Sequence, residues 1–373
     1  MQTMRQTRSA KVPAWTLALH ARTFFGRRVR SPHANPLSSE LCLTVREQFI
    51  VGIDLGGTNI AAGAMPIDGT REIAMQMIPT LAEGGAEAVV DRIAALVEEV
   101  IAQTRRETGA ERSDFLGVGI GSPGPLDRAR GVVIVTPNLG WRDFPLRDEV
   151  SKRVHLPATL DNDANCATLG EWWIGAAKGG RNVVAMTIGT GIGGGLILEG
   201  KLYHGASDAA GEIGHTTIDA NGRRCKCGNY GCLEAYASGP AIATRARELL
   251  EGTDDSILPM LVEGDLTRIT AQTVFEASKR GDAAALEVVR DTAHFLGVGI
   301  SNLINIFNPD TFVIAGGVTQ AGDQLFDPIR AEVRRRAFKP SVDACRIVPG
   351  ALPLSAGVVG AVATFRAQTL GDL

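Results

Sequence analysis

Apolar residues along this chain follow two periods, which together predict a mixed α/β protein. Short apolar runs that end in glycine, asparagine or aspartate are typical of strands. Apolar residues at intervals of three and four are typical of amphipathic helices. The pattern predicts strands at residues 49–54, 60–64, 73–78, 115–120, 159–160, 182–188, 196–198, 311–315 and 345–348. It predicts helices at 86–104, from a cap at 161–163 to 173, and at 239–251, 271–280, 283–306, 322–336 and 355–368.

One arrangement of these elements occurs twice. A strand, a glycine-rich turn and a second strand span residues 49–65, and the same succession spans residues 183–198. Such a repeat predicts two structurally similar domains that face one another across a cleft. We expect an N-terminal domain at 48–165 and a C-terminal domain at 166–373, with the last helix able to pack back on the N-terminal domain.

Length and composition agree with a two-domain α/β protein. The 373 residues are enough for two sizeable cores. The formal net charge of −3 gives no support for nucleic-acid binding, and no apolar run has the ~18 residues of a membrane-spanning helix. Six cysteines, three of them in one cluster, fit a reducing compartment. We therefore expect a cytoplasmic protein without nucleic-acid or membrane partners.

The first 47 residues differ from the rest of the chain. Residues 1–39 contain seven Lys and Arg and no Asp or Glu, and three prolines interrupt any helical pattern. An arginine-rich, acid-free composition is shared by transit peptides. A disordered extension and translation from an upstream start codon are the alternatives that we favour.

Four potential metal ligands lie in one glycine-punctuated loop, residues 211–234. They are His215, Cys225, Cys227 and Cys232. Three thiolates and one imidazole form a Cys₃His set, which is typical of a structural, tetrahedral zinc site. A disulfide or a reduced thiol cluster is the alternative. Cysteines one residue apart rarely bridge each other, and a cytosolic enzyme seldom keeps a disulfide, so the sequence predicts zinc.

Both glycine-rich turns, DLGGT (54–58) and GTGIGGG (189–195), are suited to a polyphosphate. Glycine lets backbone N–H groups approach phosphate oxygens closely, and Thr58 and Thr190 add hydroxyl donors. Neither turn matches the P-loop motif or the strand–turn–helix context of a dinucleotide fingerprint. One such turn alone is often only a tight hairpin, whereas two at equivalent positions predict a different kind of phosphate clamp.

Asp163 is the candidate for the reacting carboxylate. It lies where a predicted strand ends and a helix begins. Its alternative role is to cap that helix, which Asp161 or Asn162 could do instead. A carboxylate at a helix N-terminus is stabilised as the anion by about 0.3–1 kcal/mol, so we expect that its pKa is not raised much. An anionic Asp163 can orient a hydroxyl and accept its proton late in phosphoryl transfer.

Further polar residues near these motifs are suited to a sugar. Their side chains can donate to or accept from neighbouring hydroxyl groups; they are Asn162, Glu212, His215 and Glu234. A metal-bound His215 would present its second ring nitrogen to a substrate in a fixed tautomer. Zinc would then shape a sugar pocket without taking part in the reaction.

Taken together, the motifs resemble those of one protein family. DLGGT, GSPGPLD, TPNLGW, LDNDAN, IGTGIGGG, GEIGH and CKCGNYGCLE occur in the order seen in the ROK family of bacterial sugar kinases, over about residues 48–370. The resemblance implies an actin/hexokinase-like ATPase fold. In that fold, two similar α/β domains close around ATP, Mg²⁺ and a hexose.

The resemblance also implies roles for individual residues. Asp163 would be the catalytic base. The sugar would contact Asn162, Glu212, His215 and Glu234, and zinc would bind His215, Cys225, Cys227 and Cys232. ATP would be bound by Asp54, Gly56, Gly57, Thr58, Asn59, Gly189, Thr190, Gly191, Gly193, Gly194, Gly195 and, near the adenosine, Gly316 and Gly317.

The stretch TPNLGWRDFPL (136–146) is most similar to family members that phosphorylate glucose. We therefore expect ATP-dependent phosphorylation of glucose at its 6-hydroxyl, within glycolysis, by a homo-oligomer (dimer or tetramer). N-acetylglucosamine, N-acetylmannosamine, fructose and mannose stay open as substrates, and polyphosphate stays open as donor. A sugar-sensing repressor is the remaining rival. It is disfavoured because the roughly 47 residues before the fold are fewer than a helix-turn-helix domain needs, and because DLGGT and Asp163 are both kept.

Overall fold

The structure of the protein is a computed structural model that describes residues 46–252 and 255–371. The prediction for the basic segment 1–47 therefore falls outside the described residues, apart from Arg46 and Glu47. In the described part of the chain, no helix is both long enough and apolar enough to cross a membrane.

The first half of the described chain forms a five-stranded mixed sheet. In chain order the elements are β1 (Phe49–Leu55), β2 (Asn59–Pro66), β3 (Ile73–Pro79), α1 (Gly85–Thr108), β4 (Phe115–Ser122), β5 (Leu126–Asp127), β6 (Val132–Thr136), β7 (Trp141–Phe144), α2 (Leu146–Val154), β8 (Ala158–Asn162) and α3 (Asp163–Trp173). The strand order is β3-β2-β1-β4-β8. Strand β1 is antiparallel to β2 and parallel to β4. The short strands β5, β6 and β7 form a separate antiparallel sheet.

The second half forms another five-stranded mixed sheet. Its elements are β9 (Val183–Ile188), β10 (Ile192–Leu198), β11 (Lys201–Leu202), α4 (Glu234–Ala237), α5 (Gly239–Leu250), α6 (Leu258–Leu261), α7 (Ala271–Lys279), α8 (Ala283–Phe307), β12 (Thr311–Ala315), α9 (Asp323–Arg336), α10 (Lys339–Ala344), β13 (Arg346–Pro349) and α11 (Ala356–Leu370). The strand order is β11-β10-β9-β12-β13. Strand β9 is antiparallel to β10 and parallel to β12.

The two sheets therefore share one strand order and one set of strand directions. This confirms the repeat that the hydrophobic pattern predicted. The central strands β1, β4, β9 and β12 are almost continuously buried. Strands covered on both faces need apolar residues at nearly every position, which explains the short, unbroken apolar runs in the sequence.

The last helix, α11, packs against the first sheet, although it follows the second sheet in the chain. Its close approach depends on glycine. A Cβ at Gly119 in β4 would lie 1.8 Å from the carbonyl oxygen of Ala361 in α11. On its other side, Gly360 lets α11 approach α3, since a Cβ there would lie 1.5 Å from the carbonyl oxygen of Cys166. Helices α3 and α11 thus connect the two halves of the fold.

One boundary in the sequence analysis is wrong. Residues 193–195 were placed in a glycine-rich turn, whereas the structure places them inside β10, which begins at Ile192. The glycines serve packing there. A Cβ at Gly194 would lie 2.4 Å from Ile213 Cδ1, and one at Gly195 would lie 2.2 Å from Thr168 Oγ1. The turn itself is limited to residues 189–191.

Candidate active site

A cleft of about 670 Å³ lies at the carboxyl ends of β1, β8, β9 and β12. It brings together most of the residues that the sequence singled out. Those on its lining are Gly56, Gly57, Thr58, Asn162, Asp163, Gly189, Thr190, Gly191, Gly193, Gly194, Glu212, His215, Glu234, Gly316 and Gly317. Three of the residues predicted to bind ATP, Asp54, Asn59 and Gly195, are not part of the lining, and neither are the three cysteines of the predicted zinc site.

Asn162 and Asp163 stand at the start of α3. The Asn162 side chain caps the helix, because its Oδ1 accepts hydrogen bonds from the N–H groups of Ala164 (2.9 Å) and Asn165 (3.2 Å). The Asp163 Oδ1 accepts one from the same Ala164 N–H at 2.8 Å. Since Asn162 supplies the cap, the half-buried carboxylate of Asp163 is available to the cleft that it lines.

The stabilisation of the anion expected at the helix N-terminus does not prevail, because the pKa of Asp163 is raised. Burial raises the pKa of this carboxyl; the Ala164 hydrogen bond opposes the rise, and the negative charge of Glu212 adds to it. The effect of removing water from the carboxylate outweighs the stabilisation of the anion by the helix N-terminus, which is worth only about 0.3–1 kcal/mol. A general base is most effective when its pKa lies near the working pH, so the rise favours proton acceptance.

Asp54, near the end of β1, is a second perturbed carboxyl. Burial raises its pKa from 3.8 to about 7, and the charge of Asp163 adds to the rise. The first turn of α11 encloses this carboxylate, since a Cβ at Gly357 would lie 2.2 Å from Asp54 Oδ2. Mg²⁺ binds oxygen ligands, and in phosphate sites it commonly uses one or two carboxylates together with water and phosphate oxygens. The two carboxylates are therefore candidate ligands for a divalent cation, whose charge would relieve the repulsion between them.

The two glycine turns reach the cleft from opposite halves of the fold. The first is closed by a hydrogen bond from Gly56 N–H to the Asn59 carbonyl, and the second by one from Gly189 N–H to the Gly191 carbonyl, both 2.9 Å. Both connect antiparallel strands, β1 with β2 and β9 with β10. They are therefore the hairpin turns that the sequence predicted.

Glu234, at the start of α4, is hydrogen-bonded to the first residue of β10, directly after the second glycine turn. Its Oε2 accepts from the N–H of Ile192 at 2.8 Å. A Cβ at Gly191 would lie 2.6 Å from the same oxygen, so only glycine leaves room for this contact. The residue predicted to contact sugar thus also supports the segment predicted to bind phosphate.

The four predicted metal ligands lie in one cluster, with their ligand atoms all within 4.8 Å of one another. Cys227 Sγ lies 3.7 Å from Cys232 Sγ, and Cys225 Sγ lies 3.8 Å from His215 Nδ1. A tetrahedral zinc with bonds of about 2.3 Å separates its ligands by about 3.8 Å, so the cluster fits that ion. The other ring nitrogen, His215 Nε2, lies 3.9 Å from Glu212 Oε2.

The cleft also has lining residues that the sequence analysis did not name. These include Pro123, Gly124, Asn138, Asp208 and Ala210. Asn138 lies between β6 and β7, where its Cβ would be 3.1 Å from a Cβ at Gly57. The TPNLGW string contains this asparagine and could have identified it. No local pattern marks Asp208, because only the fold brings it to the cleft.

A smaller, mostly apolar pocket of about 520 Å³ adjoins the cleft and shares Ile188, Gly189, Thr190 and Gly317 with it. Its further lining includes Phe275 on α7. An apolar slot that continues from a phosphate-binding turn has the shape and chemistry for a nucleoside base. The two glycines predicted to lie near the adenosine, Gly316 and Gly317, stand where the cleft meets this pocket.

Two sheets of one topology, each with a glycine turn at a shared cleft, define an actin/hexokinase-like ATPase fold. The model of the ROK family matches residues 50–368, nearly the whole described chain. The chain therefore belongs to the ROK family.

Similar proteins include both enzymes and regulators. A glucokinase from Halalkalibacterium halodurans is 38% identical over 84% of this chain and 94% of its own length. The crystal structure of a ROK family glucokinase from Streptomyces griseus, in complex with glucose and AMPPNP, has a TM-score of 0.74 at 36% identity and covers 84% of this chain and 98% of that one. A putative xylose repressor from Caldicellulosiruptor is 34% identical over 84% of this chain but only 77% of its own length.

Proposed function

We propose that this protein transfers the γ-phosphate of ATP to the 6-hydroxyl of a hexose, with glucose as the preferred substrate. One observation carries the proposal: Asp163, both glycine turns and the polar residues Glu212, His215 and Glu234 line one cleft. Donor, acceptor and base must meet at one place for in-line phosphoryl transfer. The similarity to a glucokinase crystallised with glucose and AMPPNP supports this pair of substrates.

The sugar end of the cleft would orient the acceptor. Glu212, His215, Glu234 and Asn162 would bind the ring hydroxyls and leave the 6-hydroxyl facing Asp163. As the 6-oxygen attacks the γ-phosphorus, Asp163 would accept the hydroxyl proton while ADP departs. Glu212 is 55% exposed in its side chain, so a bound hexose would shield it from water.

The nucleotide end of the cleft would fix the donor. Backbone N–H groups of residues 56–58 and 189–191 would bind the phosphates, with hydroxyl donors from Thr58 and Thr190. The adjoining apolar pocket would take the adenosine. Magnesium bound with ATP would neutralise phosphate charge during transfer, and Asp54 is the residue that would hold it.

Zinc would be structural in this protein. His215, Cys225, Cys227 and Cys232 would fill all four coordination positions, which leaves no open position for catalysis. The ion would instead fix His215 Nε2 and the loop that carries Glu212, so that both meet the sugar in one orientation.

The cellular setting that we propose is cytoplasmic sugar metabolism. The five described cysteines form no disulfide, which agrees with a reducing compartment. The segments 48–165 and 166–373 would be the domains that close on the substrates. Assembly into a dimer or tetramer stays a prediction.

The proposal is tested by ADP release, measured with ATP and Mg²⁺ across a hexose panel. We expect the highest kcat/KM for glucose, with mannose next and with N-acetylglucosamine, N-acetylmannosamine and fructose lower. Polyphosphate replaces ATP in a parallel series and should not support turnover. If an N-acetylated hexosamine is preferred, the glucose assignment fails and the kinase assignment stands. No hexose-dependent ADP release at all would refute both.

A further inference from the structure

Asp161 is a buried carboxylate, 1% exposed, directly before Asn162 and Asp163 at the end of β8. We propose that it is a positioning residue for the catalytic base, and that it acts in this way only while Arg128 and His204 pair with it. The inference rests on the proposed role of Asp163. It adds that the catalytic base depends on a residue outside the cleft, since Asp161 is not part of the cleft lining.

Asp161 holds the chain on both sides of the base. Its Oδ1 accepts a hydrogen bond from the N–H of Asn162 at 2.8 Å and another from the Asn165 side-chain amide at 3.1 Å. Asn162 lies one residue before Asp163, and Asn165 lies two residues after it in the first turn of α3. One carboxylate oxygen therefore ties the end of β8 to the start of the helix, and Asp163 lies between the two tethers.

The second oxygen of Asp161 faces two basic side chains from elsewhere in the fold. His204 Nε2 lies 2.9 Å and Arg128 Nε lies 3.0 Å from Oδ2. The contact with Arg128 is an ion pair, since the Nε–H group of Arg128 is not oriented to donate a hydrogen bond to any described residue. Arg128 lies between β5 and β6, and His204 follows β11 of the second sheet. Three separate parts of the fold thus meet at one carboxylate.

Charge compensation makes these partners necessary. A buried carboxylate without a partner is strongly unfavourable, and loss of one partner leaves the other charge uncompensated. The orientation of Asp161, and with it the backbone around Asp163, therefore depends on Arg128 and His204. Arg128 also contacts Asp208 on the cleft lining, with Nη1 at 3.3 Å from Oδ1. The network thereby connects the cleft to the chain behind the base.

A purely structural role for Asp161 is the competing explanation, and α3 offers a matched control. Glu171, near the end of the same helix, is also 1% exposed. Its carboxylate accepts backbone hydrogen bonds from Ala176 (2.8 Å), Ala351 (3.0 Å) and Leu352 (2.8 Å). None of these groups touches Asn162 or Asp163, so Glu171→Gln should reduce stability without changing turnover per folded molecule.

The experiment compares Asp161→Asn, Glu171→Gln and wild-type protein by steady-state kinetics and thermal unfolding. For Asp161→Asn we expect kcat to fall about 10- to 100-fold, because misplacement of a reacting group by about 1 Å can cost about 100-fold. The KM for ATP should change less than about threefold, because uniform binding at the phosphate turns is untouched. Glu171→Gln should keep kcat within about twofold at a lowered melting temperature.

His204 supplies a second test that does not depend on how well Asp161→Asn folds. His204→Ala should lower kcat, whereas His204→Gln places an amide donor near the position of Nε2 and should restore most of it. The proposal is overturned if Asp161→Asn keeps kcat within about twofold of wild type, or if Ala and Gln at position 204 have equal kcat. Wild-type protein that releases no ADP with any hexose would instead refute the function on which the inference rests.

Discussion

Replacement of Asp54 by asparagine should stabilise the protein, and the gain should depend on pH. In the folded chain burial and the charge of Asp163 raise the pKa of Asp54 to about 7, against 3.8 for the ordinary carboxyl. Ionisation is therefore less favourable in the folded state than in the unfolded state. Asparagine keeps the size of the side chain and removes the charge.

The sign and size follow from proton linkage. Well below pH 3.8 the carboxyl is protonated in both states, so the charge imposes no penalty, and near pH 4 the penalty is still small. As the pH rises through the interval up to about 7, the wild type progressively loses stability relative to the variant, and above it the difference stays constant. At about 1.36 kcal/mol per pH unit, the full difference is at most about 4 kcal/mol. This difference is large compared with the free energy of unfolding of a typical domain, which is about 5–15 kcal/mol.

Urea unfolding of both proteins at about pH 4, 7 and 8.5, without Mg²⁺ or nucleotide, measures the difference. Asp68→Asn is the control, since this exposed carboxyl has its pKa lowered by hydrogen bonds from Thr70 and should not gain stability when replaced. An Asp54→Asn protein that is no more stable than wild type at the highest pH would refute the reasoning. So would a gain of equal size at all three pH values.

Three further predictions follow from the site. Asp163→Asn should reduce kcat to less than about a tenth of wild type, while the sugar Kd from calorimetry stays within about tenfold. Because burial raises the pKa of Asp163, the variant should be no less stable than wild type at neutral pH. Retained turnover would contradict the role of Asp163 as base. Cys232→Ser should raise the glucose KM and lower the melting temperature together, and elemental analysis should give about one zinc per wild-type chain. The control variant Cys345→Ser, outside the cluster, should keep the metal. A fully active zinc-free protein would contradict the structural role of zinc. Saturating glucose should reduce the radius of gyration in small-angle scattering if the two halves close on the sugar, whereas superimposable curves would count against closure.

The repeated architecture and most of the candidate site residues could be predicted from local sequence patterns. Strand–turn–strand succession at 49–65 and 183–198 depends on short-range apolar patterning, and both copies form hairpins of matching topology. The Cys₃His cluster was also predictable, since its four residues lie within one loop. Such a cluster can be predicted because residues that are close in sequence stay close to one another in the folded chain.

Which carboxylates have shifted pKa values, and which groups hold them, depends on how distant segments of the chain pack together. The first turn of a helix suggested an ordinary Asp163, but burial raises its pKa. Asp161 pairs with His204, 43 residues further along the chain, and Asp54 is enclosed by α11 from the far end of the chain. The three-stranded sheet that brings Asn138 to the cleft consists of strands too short to show a period. Burial, and contacts between charged residues distant in sequence, arise only when distant segments pack together. Local sequence patterns therefore cannot predict them.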